Sequence, residues 1–434
     1  RPSFGKQVAR RGHGIAGSDR SSEGPAEGQL EAHGGMMGIA ASADQDLLDR
    51  MRALCKGPRP FQQIGPGFPQ IARRVFDLLP ERVPHRCLPP VQCIIGPMGK
   101  MEKRILTIGG IREDYCITHD GRVINGALGG NAIYAAVGAK LWAEQVSVLG
   151  RVGSNFPAAW FDDLRAAGID ASAVLVLPEP IPCVTFYAYL NPETRVDTSP
   201  GIHYARLGLP LPKPLVGYTS STIGQDERNS FAPLAIRPND LISLPGTIQA
   251  AHLAPADYLT HSLVPYALRQ RGTKWITLDP SVRYMNPSFR HELPTLLRGL
   301  DAFLPSEQEA RSYFAIRWTD SWQMAEAFGE MGVRFVVIKC GPRGALLWDR
   351  DAKARWQIPA YPSTVRDVTG AGDAFCGGFL AGLIETEDPL EASLWGSAAA
   401  SLVVEGSGAL YALDAAPGIL HARRESLRSS ARQV

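Results

Sequence analysis

The sequence predicts an α/β protein with a mainly parallel central sheet from residue 101 onward, and three observations support this. Short apolar runs at 103–110, 275–280 and 334–340 are typical of buried strands, because strands covered on both faces carry few polar residues. Segments with helical character separate these runs, and such alternation is typical of parallel sheets. Hydrophobic residues make up 45% of the chain and charged residues 20%, as in ordinary globular proteins.

The individual elements can be placed in chain order from local signals. Buried strands are expected at 103–110, 145–153, 275–280, 301–306 and 334–340. Helices are expected within 129–142, 157–168 and 256–272, and again after Gly372. Gly168 should stop the second of these helices, and Pro265 should kink the third. The alternating pattern at 183–190 indicates a strand of a second sheet.

Composition and charge exclude several classes of protein. Lys and Arg number 45 against 43 Asp and Glu, so the net charge favours neither nucleic acid nor an anionic membrane as partner. No apolar run approaches the roughly 18 residues of a membrane span. The seven cysteines form no CxxC pair, which argues against a zinc knuckle or a disulfide scaffold and favours a reducing cytoplasm. HExxH and GxxxxGK[ST] motifs are absent, so neither a zincin nor a Walker-type NTPase is supported.

The first 100 residues differ in character from the rest of the chain. Residues 1–100 are interpreted as a poorly ordered extension, because their Gly-, Ser- and Pro-rich runs cannot bury enough apolar surface to offset chain entropy. Met98 and Met101 lie just before the first predicted strand, so we expect the working protein to start near one of them. A single domain would then span 101–420, followed by a C-terminal tail at 421–434.

The most informative segment is 364–385, where Gly370, Ala371 and Gly372 precede a predicted helix. This stretch has almost no side chain, so its N–H groups can point at an anion, and the positive end of the helix strengthens that field. Asp373 follows in the first turn, beside the same anion. A carboxylate there is a poor structural choice, but it can accept a proton from a hydroxyl while the amides hold a phosphoryl group.

Three glycines inside the following helix indicate unusually close packing. Gly377, Gly378 and Gly382 each cost up to about 1 kcal/mol relative to Ala, so another backbone or a ligand is expected to come very close. For the GAGD stretch alone, a tightly packed glycine-rich turn capped by Asp373 is an equally good interpretation. The wider sequence context favours the functional one.

Residues 367–380, DVTGAGDAFCGGFL, resemble at each position the second signature of the PfkB/ribokinase family of sugar and nucleoside kinases. The resemblance covers roughly 101–415. Weaker matches follow in the family's order and spacing, at 109–115, 126–153, 303–310, 336–347 and 398–409. The resemblance implies a ribokinase-like three-layer α/β/α sandwich with a mainly parallel central sheet and a small β-sheet lid, built mainly from 111–127 and 181–199.

The resemblance also implies roles in the reaction for residues at matching positions. Asp373 would be the general base that takes the proton from the substrate hydroxyl. The anion hole would be formed by Gly370, Ala371 and Gly372. The substrate would be contacted by Asp114, Gly129, Gly130 and Asn131.

A second set of implied roles concerns the nucleotide and the cations. Nucleotide-binding positions would be Ser306, Lys339, Gly341, Gly344 and Thr369. Glu309 would help to hold Mg²⁺ through water. Asp367 matches an acid that helps to hold a monovalent cation in some members, so K⁺ is the additional cofactor that the resemblance suggests.

Several of these residues have an alternative, purely structural interpretation. Asp114 could be a solvated loop acid, and Glu309 could complement a helix dipole. Asn131 could be the N-cap of the helix that follows it. Arg283, within the DPSVR stretch, could either reach a phosphate or lie on the surface.

The chain departs from the family pattern at four places. Tyr134 lies where many members carry a substrate-binding Asn, which leaves that sugar contact in doubt. Ser306 replaces the usual Asn of the NxxE motif, and Lys339 replaces the usual Thr before Gly341. Lys339 could pair with nucleotide phosphate or could simply end a strand. The long Pro-rich stretch 198–247 has no obvious counterpart, and stretches of this length are often functional or disordered.

Together these observations predict an ATP-dependent kinase that transfers the γ-phosphoryl group to a hydroxyl of a sugar or sugar-like substrate, with Mg²⁺ as cofactor. A nucleoside or sugar-acid kinase of the same family is one alternative. A catalytically silent sugar- or nucleotide-binding protein is another, and an interaction protein that works through 1–100 and 198–247 is a third. The expected partner is a small molecule rather than nucleic acid or a membrane. A homodimer is compatible with the sequence, which does not decide the oligomeric state.

Overall fold

The computed structural model describes residues 104–242, 244, 246–315 and 320–434. The extension expected at 1–100 and the start expected near Met98 or Met101 lie outside these residues. The described part of the chain folds into strands and helices that alternate along most of its length.

The described residues contain sixteen strands. In chain order they are β1 (Ile105–Ile108), β2 (Arg112–Ile117), β3 (Val123–Gly129), β4 (Val146–Leu149), β5 (Arg151–Val152), β6 (Ile169–Asp170), β7 (Leu175–Val176), β8 (Val184–Asn191), β9 (Thr194–Val196), β10 (Ala250–Leu253), β11 (Trp275–Leu278), β12 (Ala302–Phe303), β13 (Phe335–Lys339), β14 (Ala345–Asp349), β15 (Ala354–Ile358) and β16 (Arg432–Gln433). Ten of them form the central sheet, in the order β16-β15-β14-β13-β12-β11-β10-β1-β4-β6.

The central sheet is mainly parallel, as the strand–helix alternation predicts. All neighbours from β6 to β13 run parallel, whereas β14, β15 and β16 are antiparallel. Every residue of β1, β4, β10 and β11 is buried, because helices cover both faces of a sheet of this kind.

The described helices are ten in number. In chain order they are α1 (Asn131–Lys140), α2 (Ala159–Ala166), α3 (Pro200–Arg206), α4 (Tyr258–Gln270), α5 (Leu293–Leu297), α6 (Glu307–Phe314), α7 (Ser321–Glu330), α8 (Ala371–Thr386), α9 (Pro389–Val403) and α10 (Ile419–Ser430). Short 3₁₀ turns accompany them at Lys213–Leu215, Pro238–Leu241, Pro287–Phe289, Gly341–Arg343 and Tyr411–Asp414. Pro265 lies inside α4, which continues past it to Gln270.

Two hydrophobic cores lie on opposite faces of the central sheet. Ile105 belongs to the core shared with α1, α8 and α9, and its neighbour Leu106 belongs to the core shared with α4 to α7. This change of side follows from the two-residue period of a strand. The molecule is therefore a three-layer α/β/α sandwich, which confirms the predicted fold class.

The middle of α8 packs against backbone on two sides. A Cβ at Gly377 would overlap the Ala135 carbonyl oxygen of α1, and one at Gly382 would come within 2.7 Å of the Ala392 Cα of α9. The reverse contact exists as well, because a Cβ at Gly138 of α1 would overlap the Ala374 carbonyl oxygen. The close approach predicted from the glycines is therefore an approach of backbone, and it fixes α8 in position.

A second, four-stranded sheet has the order β3-β2-β8-β9. The alternating stretch at 183–190 is β8 of this sheet, as the pattern predicts. One face carries Tyr115, Phe186 and Ala188, which form a separate core with Tyr204 of α3. Its strands come from the ranges expected to build a lid, and its closing movement remains a prediction.

The long stretch 198–247 contains α3 and two of the 3₁₀ turns, and side-chain bonds attach it to the main body. The Thr260 hydroxyl donates to the Ile236 carbonyl oxygen at 2.7 Å. Arg151 forms a nearly buried ion pair with Asp240 at 2.6 Å. These bonds hold the stretch over the carboxyl ends of the central strands.

Residues 421–434 differ from the tail expected at the C-terminus. They continue α10, and β16 pairs with β15 at the edge of the central sheet. Leu420 and Leu427 are buried because the seven-residue spacing places them on one helix face. Arg423 is also buried, and its guanidinium donates to Glu405 at 2.8 Å.

Two further expectations concern membranes and cysteines. No helix in the described part of the chain combines the length and apolar character needed to cross a membrane. The cysteines found there, Cys116, Cys183, Cys340 and Cys376, are free and buried.

Candidate active site

The candidate site lies at the start of α8, where the GAGD stretch turns from a loop into a helix. Gly370 is the N-cap and has φ +76°, a left-handed conformation that glycine adopts without strain. A Cβ at Gly370 would overlap the ring of Tyr134, so this turn also requires the missing side chain. Tyr134 itself is buried in α1, and its ring lies directly against Gly370 of the loop.

The amides at this helix start fall into two groups. The Ala371 N–H donates to the Val368 carbonyl oxygen at 3.2 Å, and the Ala374 N–H donates to the Gly370 carbonyl oxygen at 2.8 Å. Among the described residues, no acceptor binds the N–H groups of Gly370, Gly372 and Asp373. The unpaired amides are therefore those of 370, 372 and 373, whereas the sequence suggested 370, 371 and 372.

The carboxyl group of Asp373 stands beside these amides in the first turn of α8. It is half-buried, and none of the described residues forms a hydrogen bond or an ion pair with it. Burial raises its pKa to about 6, although the charges of Lys339 and Arg195 oppose that shift. The negative charges of Asp114 and Glu309 act in the same direction as burial. A carboxylate with this pKa can accept a proton near neutral pH.

Lys339 places a positive charge at the same helix start. Its Nζ lies 3.6 Å from the position that a Cβ on Gly372 would occupy. It forms a buried ion pair with Asp279 and a hydrogen bond to the Cys376 Sγ at 3.5 Å. Burial alone would lower the pKa of Lys339, but the Asp279 charge and its neighbours raise it, so the ammonium persists. Lys339 therefore does not simply end β13, because its ammonium group provides a positive charge at the start of α8.

Asp279 is a residue of this site that the sequence analysis did not single out. It is 4% exposed, and its Oδ1 has no hydrogen-bond partner in the described structure. Burial raises its pKa to about 6, against the lowering effect of Lys339. The only sequence signal was its position directly after β11, where polar residues of parallel sheets gather around ligands.

Glu309 and Ser306 are joined in a capping box at the start of α6. The Ser306 hydroxyl accepts from the Glu309 N–H at 3.2 Å, and the Glu309 Oε2 accepts from the Ser306 N–H at 2.7 Å. Burial raises the pKa of Glu309 to about 7, and the Asp279 charge adds to this. Glu309 thus has a structural role, because it caps the start of α6. A cation bound nearby would reduce the repulsion between the charges of Glu309 and Asp279.

Asp114 lies on β2 of the second sheet and faces the start of α1. It is 5% exposed, and it accepts hydrogen bonds from the Thr185 hydroxyl and from the Gly130 N–H, the latter at 3.3 Å. Burial raises its pKa to about 6. A Cβ on Gly129 would overlap the Asp114 carboxylate, so this approach requires glycine. Asp114 is consequently not a solvated loop acid.

Asn131 connects two loops through its side chain. Its Oδ1 accepts from the Gly110 N–H at 2.8 Å, and its Nδ2 donates to the Pro255 carbonyl oxygen at 2.6 Å. The N-cap of α1 is Gly130, and Asn131 makes no capping bond, so the interpretation of Asn131 as N-cap is wrong. The side chain instead holds the ends of β1 and β10 together.

Thr369 and Asp367 tie the loop before α8 to its surroundings. The Thr369 N–H donates to the Asp367 Oδ1 at 3.0 Å, and the Thr369 hydroxyl donates to the Tyr189 hydroxyl at 3.1 Å. Tyr189 belongs to β8, so these bonds connect the loop to the second sheet. Thr369, expected to bind nucleotide, therefore uses its hydroxyl within the protein.

The turn after β13 contains the two glycines expected to pass near a nucleotide. Gly341 has φ +57° and open space around it, whereas a Cβ on Gly344 would overlap the Ile358 carbonyl oxygen. An ion pair between Arg343 and Glu307 fixes the turn to the start of α6. A side chain at either position would strain the backbone, because both glycines have a positive φ.

Arg195 is a second residue that sequence reasoning missed. It lies on the edge strand β9, and its guanidinium carbon stacks 4.6 Å from the centre of the Tyr187 ring. Its charge opposes the rise in the pKa of Asp373 that burial causes. An isolated Arg in a polar hairpin gives no signal in a single sequence.

Arg283 does not point to the GAGD loop. Its Nε donates to the Thr222 hydroxyl at 2.8 Å, and its own N–H donates to the Ser281 hydroxyl at 3.3 Å. The first of these bonds attaches the 198–247 stretch to the loop after β11.

Comparison with known proteins agrees with this arrangement. Residues 233–416 match the model of the pfkB family carbohydrate kinases. A cytidine kinase of Thermococcus kodakarensis is 24% identical over 285 residues, which are 64% of this chain and 87% of that protein. A bifunctional ribokinase/ribose-5-phosphate isomerase A of Fructilactobacillus sanfranciscensis is 34% identical over 142 residues, 32% of this chain and 26% of that protein.

Solved structures share the fold at low sequence identity. The nucleoside kinase of Burkholderia thailandensis in complex with inosine is 19% identical, with a TM-score of 0.55 over 75% of this chain and 99% of that one. A putative ribokinase II of E. coli in complex with ATP and Mg²⁺ gives 19% identity and a TM-score of 0.54, over 76% and 99% of the two chains. The model of this family thus matches residues 233–416, which include the second signature, and the described part of the chain shares the ribokinase fold of these solved structures.

Proposed function

We propose that this protein is an ATP-dependent kinase that transfers the γ-phosphoryl group to a hydroxyl of a sugar or nucleoside. The observation that carries the proposal is the start of α8, where an unpaired carboxyl group, Asp373, stands beside three unpaired amides. The first N–H groups of a helix have no partner within the helix, so they are free to bind an anionic ligand. An anionic phosphoryl group and an acceptor hydroxyl are the pair that would complete both at once.

In the proposed reaction the carboxylate of Asp373 accepts the proton of the acceptor hydroxyl. The acceptor oxygen forms a bond to the γ-phosphorus, the bond from that phosphorus to the β–γ bridging oxygen breaks, and ADP leaves with that electron pair. The amides of Gly370, Gly372 and Asp373 donate to the phosphoryl oxygens during the transfer. Lys339 adds a fixed positive charge beside Gly372.

Asp114 and Gly130 are proposed to orient the acceptor. The Asp114 carboxylate already accepts from the Gly130 N–H and the Thr185 hydroxyl, so its position is fixed before substrate arrives. Preorganised groups of this kind lower the entropic cost of alignment. Asn131 would act indirectly, because its side chain holds the neighbouring loops together.

Mg²⁺ fits the carboxylates near Lys339. The Oδ1 of Asp279 is buried without a partner, and the Asp279 charge adds to the burial that raises the pKa of Glu309; a divalent cation would offset this repulsion between the two carboxylates. When bound, the metal would neutralise charge on the ATP phosphates. Asp367 remains the residue proposed for a monovalent cation such as K⁺.

The second sheet is proposed to act as a lid over the acceptor. It carries Asp114 on β2 and Arg195 on β9, so its position relative to α8 sets the distance between acceptor, cation and base. Closure would exclude water, which otherwise competes with the acceptor for the phosphoryl group.

A catalytically silent binding protein is the second candidate. It is favoured by the ion pair between Lys339 and Asp279. In this pair the Lys339 ammonium already has a carboxylate partner, whereas in a kinase it would contact a phosphate. The experiment that separates the two combines calorimetric ATP binding with detection of ADP over a panel of sugars, nucleosides and sugar acids. Acceptor-dependent ADP formation supports the kinase, whereas ligand binding with no ADP from any acceptor supports the silent protein.

A further inference from the structure

The two faces of the second sheet have different surroundings. Tyr115 and Phe186 lie on the face that forms a separate core with α3. Because successive side chains of a strand alternate, Cys116 of β2 and Tyr189 of β8 lie on the other face. Both of them contact Thr369, so this face of the sheet is turned towards the loop before α8.

Thr369 is the residue at which two strands of the second sheet meet this loop. Its hydroxyl donates to the Tyr189 hydroxyl at 3.1 Å, and the Cys116 Sγ lies 3.5 Å from the same Thr369 oxygen. All three side chains are buried. Loss of the Thr369 hydroxyl would therefore remove the partner that two buried polar groups share, and little water can reach them to replace it.

The contact between these three side chains is uncharged. Burial raises the pKa of the Cys116 thiol and that of the Tyr189 hydroxyl to about 12. Both groups keep their protons at neutral pH, so the thiol can donate to the Thr369 oxygen while the Thr369 hydroxyl donates to Tyr189. A contact of this kind holds two parts of the chain together without adding charge near the base candidate.

The loop that contains Thr369 is also attached to the helix layer. The Arg366 N–H donates to the carbonyl oxygen of Val404, the C-cap of α9, at 2.7 Å. Arg122, in the hairpin between β2 and β3, donates to the Arg366 carbonyl oxygen at 2.7 Å. The loop thus connects the second sheet to α9, and the residue after Thr369 carries the first of the unpaired amides at the start of α8.

We propose that Thr369 is a positioning residue, whose hydroxyl fixes the second sheet to the loop before α8 and so sets the distance between Asp114 and Asp373. This inference rests on the proposed kinase function, in which Asp114 orients the acceptor and Asp373 takes its proton. Asp114 lies two residues before Cys116 on β2, and Asp373 lies four residues after Thr369 in the first turn of α8. A small shift between them would misalign the acceptor hydroxyl and the phosphoryl group.

The test compares Thr369→Val, which removes the hydroxyl but keeps the shape, with Thr369→Ser, which keeps the hydroxyl. In the full chain, Thr369→Val should lower kcat for acceptor-dependent ADP formation about 10-fold or more, while the calorimetric Kd for ATP stays unchanged. ADP formation without an acceptor, in which water takes the phosphoryl group, should not fall in proportion. Thr369→Ser should restore most of the acceptor-dependent turnover.

Variants of Tyr189 and Tyr204 separate this contact from the general stability of the sheet. Tyr189→Phe should reproduce the effect of Thr369→Val, and combining the two should add little, as expected for the partners of one bond. Tyr204→Phe is the matched control, because it removes a tyrosine hydroxyl, bonded to Asn125, from the opposite face of the same sheet. It should leave acceptor-dependent turnover unchanged.

Hydrogen exchange of the ligand-free protein supplies a readout that does not depend on activity. Thr369→Val should speed the exchange of backbone amides in β2, β8 and 366–369 about 5-fold or more, because the sheet and the loop lose their shared bond. Thr369→Ser should leave this exchange unchanged, and Tyr204→Phe should leave it unchanged at 366–369.

Unchanged exchange in Thr369→Val would overturn the proposal. Unchanged acceptor-dependent turnover would overturn it too, as would equal losses in Thr369→Val and Thr369→Ser, which would make the shape of the side chain decisive. A weaker affinity for ATP would instead make Thr369 a nucleotide-binding residue and would also overturn it. Faster exchange in a protein that forms no ADP with any acceptor would contradict the kinase function alone and would leave the contact between sheet and loop standing.

Discussion

Two residues at the start of α8, Gly370 and Asp373, have environments that account for their proposed roles. Gly370 combines a left-handed backbone with direct contact to the Tyr134 ring. Asp373 combines partial burial with the absence of a partner among the described residues, and its raised pKa follows from that combination. The proposed chemistry would therefore depend on what these positions lack, namely a side chain at 370 and a partner at 373.

Gly370→Ala tests the first of these statements. The added methyl group would overlap the Tyr134 ring and would shift the loop that carries the amides, so we expect kcat/KM to fall by a factor of about 10² or more. Gly418→Ala is the matched control, because Gly418 is also a left-handed N-cap but has open space around it. Steady-state kinetics on both variants should show the loss only at 370. Equal losses would mean that backbone strain, rather than the ring contact, governs the effect.

Arg195→Gln tests the electrostatic environment of the base. The carboxylate of Asp373 must be ionised to accept a proton, so kcat/KM should fall as the pH drops through about 6. Arg195 lowers the pKa of Asp373, and its removal should therefore move this acid limb to higher pH. The pH profile of kcat/KM measures the shift. An unmoved limb, as expected for the exposed control Arg165→Gln, would show that Arg195 does not act on the base.

At the scale of elements, the position of α8 results from contacts between helix backbones. Gly377 lies against Ala135 of α1, and Gly382 lies against Ala392 of α9. These contacts bring α8 close enough to the sheet for its first turn to face the ends of the parallel strands. The same glycines that weaken a helix by propensity thus fix the site in place.

Gly377→Ala should destabilise the protein by about 1–3 kcal/mol or more, because the methyl group has no space against the Ala135 carbonyl oxygen. Gly201→Ala is the control, since Gly201 lies in α3 with nothing near its Cβ position. The control should be neutral or slightly stabilising, as Ala is the better helix former. Denaturant unfolding measures both, and a neutral Gly377→Ala would contradict the packing described for α8.

Elements also show where sequence reasoning reached its limit. Five strands of the central sheet (β1, β4, β11, β12 and β13), β8 of the second sheet and the glycine contacts of α8 follow from periodicity and composition, which are local properties. Asp279 and Arg195 could not be recognised, because their positions near the site arise from long-range contacts that place isolated polar residues together. Arg283 shows the same limit, since its partner Thr222 lies far from it in sequence.

At the scale of the whole molecule, the C-terminal residues complete both the core and the central sheet. Leu420 and Leu427 of α10 join the core on the α8 face, and β16 extends the sheet beyond β15. The sequence-based expectation of a tail failed because a short, charged helix resembles a solvated segment until its buried face is seen. The buried Arg423 is part of that face.

Truncation after Gly418 should therefore lower the Tm by several degrees or prevent folding, because it exposes apolar surface of the core. Truncation after Ser430 removes β16, the partly buried Ala431 and the exposed Val434, and it should have a much smaller effect. Thermal unfolding of the two truncated chains checks the difference. Equal stability of the chain ending at 418 would show that α10 contributes nothing to the core.

The central claim is that the carboxyl group at 373 acts as base beside amides that hold the phosphoryl group. The most direct measurement is kcat for Asp373→Asn with the acceptor that the panel identifies, together with the calorimetric Kd for ATP. If Asp373 is the base, kcat should fall by a factor on the order of 10² or more while the ATP affinity is largely kept. Turnover close to that of the unmodified protein would contradict it.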